Sequence, residues 1–246
     1  MEQFENFLHN AADQNSISDG IVWALQEDNK GIVWIGTSNG LNRFDPVSKQ
    51  FERFKHLISD ITSLSNNNVS TIHKDGNGVL WIGTWGGGFN RFNSKTNHFE
   101  RFQFDSTNSN SLSNDRVQTI VEDSKGILWL GTNGGGLNSF NRFTGKFTHF
   151  QHKPDIKNSI SDDAVYEVVE DNAGILWLGT SGGLNQFNSQ TNQFVHFRHE
   201  QGDPTSLSDD VVWSILKDSQ DNLWVGTNNG LNLFIKQLQS IFVRSI

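Results

Sequence analysis

A chain of 246 residues with a formal charge of −8, its 19 Lys and Arg scattered singly, has no concentrated basic face, which sets nucleic-acid binding aside. With no Cys it forms no disulfides and does no thiolate chemistry, and no stretch approaches the ~20 apolar residues of a membrane span. The opening residues, Met1-Glu-Gln-Phe4-Glu-Asn-Phe7, lack the basic start and apolar run of a signal peptide.

The first recognisable element is Phe4-Glu-Asn-Phe7-Leu-His9, which matches Phe51-Glu-Arg-Phe54-Lys-His56 further along. From Ser16 onward one unit repeats five times, with Ser loops beginning at Ser16, Ser63, Ser111, Ser159 and Ser206. After each loop come Val-x-x-(Ile/Leu/Val), a turn with Asp, and Trp-x-Gly-Thr at Trp34, Trp81, Trp129, Trp177 and Trp224, spaced 47, 48, 48 and 47 residues apart. A Gly-rich turn, (Leu/Phe)-Asn-x-Phe, a polar turn and Phe-x-x-Phe complete the unit. A period this regular means one supersecondary unit repeated. Four short apolar runs separated by turn residues predict a four-stranded antiparallel meander. Runs such as Ile127-Leu128-Trp129-Leu130 do not alternate with polar residues, so both strand faces are expected to be buried. Blades stacked face to face bury both faces, whereas a flat sandwich leaves one polar face per strand. The expectation is one all-β domain over residues 1–246, a β-propeller of five four-stranded antiparallel blades.

The turn after each first strand carries Asp28, Asp75, Asp123, Asp171 or Asp218, usually with Gly three residues on, which suits a tight hairpin. Each turn offers too few oxygens for a calcium loop. Residues 16–234 supply five sets of three strands and four further fourth strands. Phe4–Phe7 is therefore expected to pair into the last blade as its outer strand and close the ring. Ile241-Phe242-Val243-Arg244 is a competing outer strand, and in that case the chain is a segment of a longer array.

The combination Ser-Leu-Ser-(Asn/Asp)-x-x-Val, Glu-Asp-x-x-Gly-x-Leu-Trp-(Ile/Leu)-Gly-Thr and Gly-Gly-Leu-Asn-x-Phe closely resembles the two-component regulator propeller repeat, over roughly residues 4–234. The resemblance implies propeller blades and the extracytoplasmic, periplasmic sensor of a bacterial hybrid histidine kinase or diguanylate cyclase. It also implies a small-molecule ligand, many such sensors recognising oligosaccharides.

Setting the repeat aside leaves Trp23, Trp85 and Trp213, together with Tyr166, the only Tyr. Trp23, Tyr166 and Trp213 share one slot just after the Val that opens the first strand, where the other units hold Ser70 and Gln118. Trp85 lies in the turn after Gly-Thr, in the slot of Ser38, Asn133, Ser181 and Asn228. Both slots open on the same face of a propeller, so the four aromatics are expected around one channel mouth, where amphipathic rings suit stacking on a sugar. The alternative is that they plug the channel or pack between blades. Polar partners expected there are Asp19, Asn67, Arg116, Gln118, Asn133, Asp163 and Asp210, with Glu167 as a lone inner-strand carboxylate that binds ligand or is solvated. The candidate ligand-binding set is Trp23, Trp85, Arg116, Gln118, Asn133, Tyr166, Glu167 and Trp213, with Gly-rich turns presenting backbone N–H groups.

His9, His56, His152 and His199 follow the outer-strand Phe on separate blades, too far apart to share a metal, and are expected to be scaffold. There is no nucleophile elbow, P-loop or dinucleotide fingerprint. The expected function is non-catalytic ligand recognition without a metal or cofactor. The alternatives are a propeller glycosidase or lyase with acids at the mouth, or a protein-interaction platform.

Overall fold

The computed structural model describes residues 3–235 and 240–243. The first sheet consists of β1 (Val22–Glu27), β2 (Val33–Thr37), β3 (Gly40–Asp45) and β4 (Gln50–Phe54). The second holds β5 (Val69–Lys74), β6 (Leu80–Thr84), β7 (Phe89–Asn93) and β8 (His98–Phe102). The third holds β9 (Val117–Glu122), β10 (Leu128–Thr132), β11 (Leu137–Asn141) and β12 (Lys146–Phe150). The fourth holds β13 (Val165–Glu170), β14 (Leu176–Thr180), β15 (Gly183–Asn188) and β16 (Gln193–Phe197). The fifth holds β17 (Val212–Lys217), β18 (Leu223–Thr227), β19 (Gly230–Ile235) and β20 (Ser240–Val243). Strands neighbour one another in chain order within every sheet, and no helix occurs among the described residues. The fold is all-β, with five four-stranded antiparallel blades of propeller type.

The repeated residues account for this regularity. In the first turn the Asp28 carboxylate accepts the backbone N–H groups of Lys30 and Ile32 through Oδ1 and the Trp34 indole N–H through Oδ2 at 3.1 Å. The same indole bond recurs from Trp81 to Asp75, Trp129 to Asp123, Trp177 to Asp171 and Trp224 to Asp218, at 3.0, 2.8, 2.8 and 3.2 Å. These carboxylates thus fix a hairpin and satisfy the polar edge of a large ring. The invariant Asn of the third strand is fully buried and ties the Ser loop to the sheet. Asn42 Oδ1 accepts the Ser18 N–H and its Nδ2 donates to Ser18 Oγ, which lies 2.8 Å from Thr37 Oγ1. Asn90, Asn185 and Asn232 repeat the Asn–Ser pairing. The imidazoles of His9, His56, His152 and His199 lie within 2.9 Å of the carbonyls of Ile17, Leu64, Ile160 and Leu207, a scaffold contact in each case.

Two compact units are formed, residues 1–107 with 115–120, and residues 108–114 with 121–246. In the first, Trp34 and Leu41 of the first blade pack with Leu64, Val69, Ile72, Phe92 and Phe99 of the second. In the second, Trp129 and Leu137 meet Ile160, Val165, Val168 and Phe187, and Trp177 and Leu184 meet Leu207, Val212, Ile215 and Phe234. These three junctions share one chemistry, with Trp and Leu from the preceding blade and Val and Ile from the following one. The Gly of Trp-x-Gly-Thr lies at the tightest point. A Cβ on Gly36 would come within 2.7 Å of Val69 Cγ1, and one on Gly179 within 2.8 Å of Val212 Cγ1.

The expected closure by Phe4–Phe7 does not form. Residues 4–9 lie in no strand, and the fourth place in the fifth sheet is held by β20, paired from Asn232↔Val243 to Ile235↔Ser240. The competing segment is thus the outer strand, although its Arg244 lies outside the described residues. Phe7 instead packs edge-on against Phe44 at 4.8 Å and Phe51 at 5.8 Å. Phe54 meets Phe92 and Phe99 of the second blade in the same way, so the motif match specifies the packing slot but not a strand pairing.

Candidate functional site

A β-bulge shapes the slot that carries the unscheduled aromatics. Val22 pairs with Thr37 and Ala24 with Gly36, so Trp23 is skipped in the β1–β2 ladder. Ser70, Tyr166 and Trp213 are skipped in the same way. A bulge leaves its extra residue without a cross-strand partner and re-aims the side chain. Each re-aimed aromatic then reaches the turn between the second and third strands of its own blade. Trp23 Nε1 donates to Ser38 Oγ at 2.9 Å and Trp213 Nε1 to Asn228 Oδ1 at 2.6 Å, while the Tyr166 hydroxyl lies 2.8 Å from Ser181 Oγ. The second blade reverses this arrangement, with small Ser70 on the strand and Trp85 in the turn.

In the first unit the reversal leaves a cavity of about 300 Å³ lined by Trp23, Asn68, Ser70, Trp85 and Gln118. Trp23 is 58% exposed, and its polar edge is already satisfied, so its ring is free to stack. The Trp85 N–H donates to the Asn68 carbonyl at 2.8 Å, and Trp85 forms a β-bridge with Arg116. The guanidinium carbon of Arg116 stands 5.8 Å from the Trp85 ring centre, within cation–π range. Ser70 Oγ donates to the Val117 carbonyl, fixing the floor beside Gln118. In the turn that follows Trp85, the Gly86 and Gly88 amides are taken up by the scaffold, both donating to the Asp115 carbonyl at 2.9 Å. Burial pushes the Asp115 carboxyl above its ordinary value, opposed by the hydrogen bond from the Phe104 N–H.

In the second unit Tyr166 and Trp213 stack on each other, with ring centres 4.3 Å apart. Asn133 forms a β-bridge with Ala164 in that unit, and Gly134 and Gly136 donate to the Asp163 carbonyl. The Glu167 carboxylate accepts its neighbour's amide, Val168 N–H, at 3.1 Å. The structure thus brings together Trp23, Trp85, Arg116 and Gln118 in one unit and Tyr166 with Trp213 in the other. Asn68 and Ser70 complete the cavity and are absent from the sequence-based set. The column shared by Trp23 and Ser70 was the signal that could have found Ser70.

The other polar residues expected at a mouth make scaffold contacts. Asp19 accepts the Ile21 N–H, Asn67 that of His56, Asp163 that of His152 and Asp210 that of His199. Among the described residues no group of three or more His, Asp or Glu is placed to hold a metal, and no helix is long and apolar enough to cross a membrane.

Comparison with known proteins agrees with this scaffold. The model of the two component regulator propeller family matches five times, at residues 16–39, 63–86, 111–134, 159–182 and 206–229. Among solved structures, the extracellular domain of the hybrid two component system BT3049 from B. thetaiotaomicron is 26% identical, with a TM-score of 0.80. The match covers 98% of this chain and 33% of that one, so this chain spans about a third of its relative's length. The extracellular domain of BT4673 from the same organism is 24% identical, with a TM-score of 0.71 over 92% of this chain and 28% of that one. Virginiamycin B lyase from Staphylococcus aureus shares the fold at 14% identity and a TM-score of 0.65, covering 92% of this chain and 70% of that one. No curated protein matches. Each of the five matches contains an Asp-anchored Trp and its Ser loop, the parts that build the blades here, and the chain belongs to the two component regulator propeller family.

Proposed function

We propose that this chain is a non-catalytic ligand-recognition region of an extracytoplasmic bacterial signalling receptor, and that its ligand is an oligosaccharide. The observation that carries this reading is the cavity between Trp23 and Trp85. Two indoles absent from the repeat pattern flank a hollow whose polar lining, Asn68, Ser70 and Gln118, offers amide and hydroxyl groups for sugar hydroxyls. Aromatic faces with a few directional polar groups suit a sugar, with its apolar ring face and polar rim. Arg116 lies within cation–π range of the Trp85 ring, and the stacked pair Tyr166 and Trp213 offers a second aromatic surface in the other unit. The likeness to BT3049, described as an extracellular domain of a two component system, supports the receptor context. A non-catalytic role is favoured because Asp19, Asp163 and Asp210 are bound to backbone amides of the scaffold.

A shallow site of this kind is expected to bind at ~10 µM to 1 mM, or roughly −7 to −4 kcal/mol. The test is calorimetric titration of a library of plant and bacterial oligosaccharides into wild type, Trp23→Ala and Trp85→Ala, with product analysis alongside. Each substitution should weaken binding by about 1–2 kcal/mol, or ~5–30-fold, with no new reducing ends or unsaturated products. Turnover of the sugar would favour the lyase or glycosidase reading instead.

A further inference from the structure

We propose that a hollow against the loop joining β12 to β13, in the second unit, binds a tetrahedral oxyanion, the sulfate or phosphate group of a small ester. The hollow holds about 360 Å³, at the low end of ligand pockets (~300–1,000 Å³). Lys153, Lys157 and Arg198 line it together with His152, His196 and Ile156, and no Asp or Glu is part of the lining. In a chain of net charge −8 this gathering of cations runs against the overall balance. Arg43, Lys49, Arg91 and Arg142 are each paired with a Glu, whereas Lys153, Lys157 and Arg198 have no ion-pair partner among the described residues.

The other units build the same loop without these cations. Residues 10–15, 57–62, 105–110 and 200–205 contain no Lys or Arg, whereas 153–158 carries Lys153 and Lys157. Asp13, Asp60 and Asp203 each accept the N–H two residues on, and Ile156 stands in their place, so the repeated carboxylate is gone. The outer strand opens the space. Arg53 and Arg101 donate through Nε to the Ser16 and Ser63 carbonyls and reach on through Nη2 to the carbonyls of Asp13 and Asp60. The shorter His196 takes that place on β16, and its Nε2 bond to the Ser159 carbonyl at 2.7 Å reproduces the first of these contacts. His152 is fixed by Nδ1 on the Ile160 carbonyl, so two held rings wall the hollow. Two ammonium groups and a guanidinium on separate segments suit a group that offers oxygens in three directions, whereas a planar carboxylate is matched by one guanidinium. The hollow shares no residue with the Trp23–Trp85 cavity and does not depend on what binds there.

The test follows the backbone amide signals of the loop 152–159 by nitrogen–proton correlation NMR on the 246-residue chain, with ionic strength held constant by chloride. The probes are sodium sulfate, glucose 6-sulfate, glucose 6-phosphate and sodium acetate. Sulfate and at least one ester should shift these signals saturably at ~1–10 mM, and acetate should not saturate in that range. The tighter of the two esters tells a sulfated source from a phosphorylated one. Lys153→Gln, Lys157→Gln and Arg198→Gln should each weaken sulfate binding about 3–10-fold, with melting unchanged because all three residues are exposed. Ile156→Asp restores the residue of the other loops and should abolish binding without lowering the melting temperature. Shifts that stay linear and match those in chloride alone would overturn the assignment, as would unchanged affinity in the three Gln variants. Acetate bound as tightly as sulfate, or sulfate bound with neither ester, would overturn the ligand class.

Discussion

At the scale of single residues, the Asp of the first turn and the Trp six residues on act as one device. Asp123 accepts the Lys125 and Ile127 N–H groups and the indole N–H of buried Trp129. Asp123→Ala would leave a buried donor without an acceptor, a loss expected at about 1–3 kcal/mol in urea denaturation. Trp129→Ala removes a core ring and should cost about 3–5 kcal/mol, whereas half-buried Trp85 should cost much less when truncated. Equal losses at both would make Trp85 a core residue. The same device predicts a pH dependence at Asp28. Burial pushes its carboxyl up, but the Trp34 indole and the Lys30 and Ile32 amides together hold it below its ordinary value of 3.8. The native state then binds fewer protons than the unfolded chain, so this contribution is complete above pH 3.8 and is lost as the pH falls through the native value. Asp28→Asn should flatten that part of the acid-unfolding curve.

At the scale of elements, each strand was legible because its turn and anchor residues recur at fixed offsets, and an apolar run bounded by such turns leaves few alternatives. What was not legible was pairing. Phe4–His9 repeats the outer-strand motif, yet the motif encodes how Phe7 packs against the next blade and not which edge its backbone joins. The bulges were equally hidden, since skipping Trp23 or Ser70 is a register shift without a residue signature. The candidate site shows both sides of this. Its aromatics stood out against the repeat, whereas Asn68 and Ser70 are residue types common to any loop. For the N-terminal segment, Phe7→Ala should lower stability by about 1–2 kcal/mol by uncovering Phe44 and Phe51. Deleting residues 1–10 should lower the melting temperature further, through loss of the His9 contact to Ile17. An unchanged melting profile in either variant would show that this segment contributes nothing to the first blade.

At the scale of the whole molecule, the repeat makes stability a sum over blades and their neighbours, which leaves residues outside the repeat free to specialise. Trp34, Trp81, Trp129, Trp177 and Trp224 are bound to Asp in the scaffold, and Trp23 and Trp85 flank a cavity instead. This division, with Trp213 as the eighth indole stacked on Tyr166, can be read in one spectrum. The most direct measurement follows the indole N–H signals in nitrogen–proton correlation NMR while a binding oligosaccharide is added. The signals of Trp23 and Trp85 should move, and those of the five Asp-anchored indoles should stay in place. Movement confined to the anchored indoles, or no movement at Trp23 and Trp85 in the presence of a bound sugar, would contradict a ligand site in that cavity.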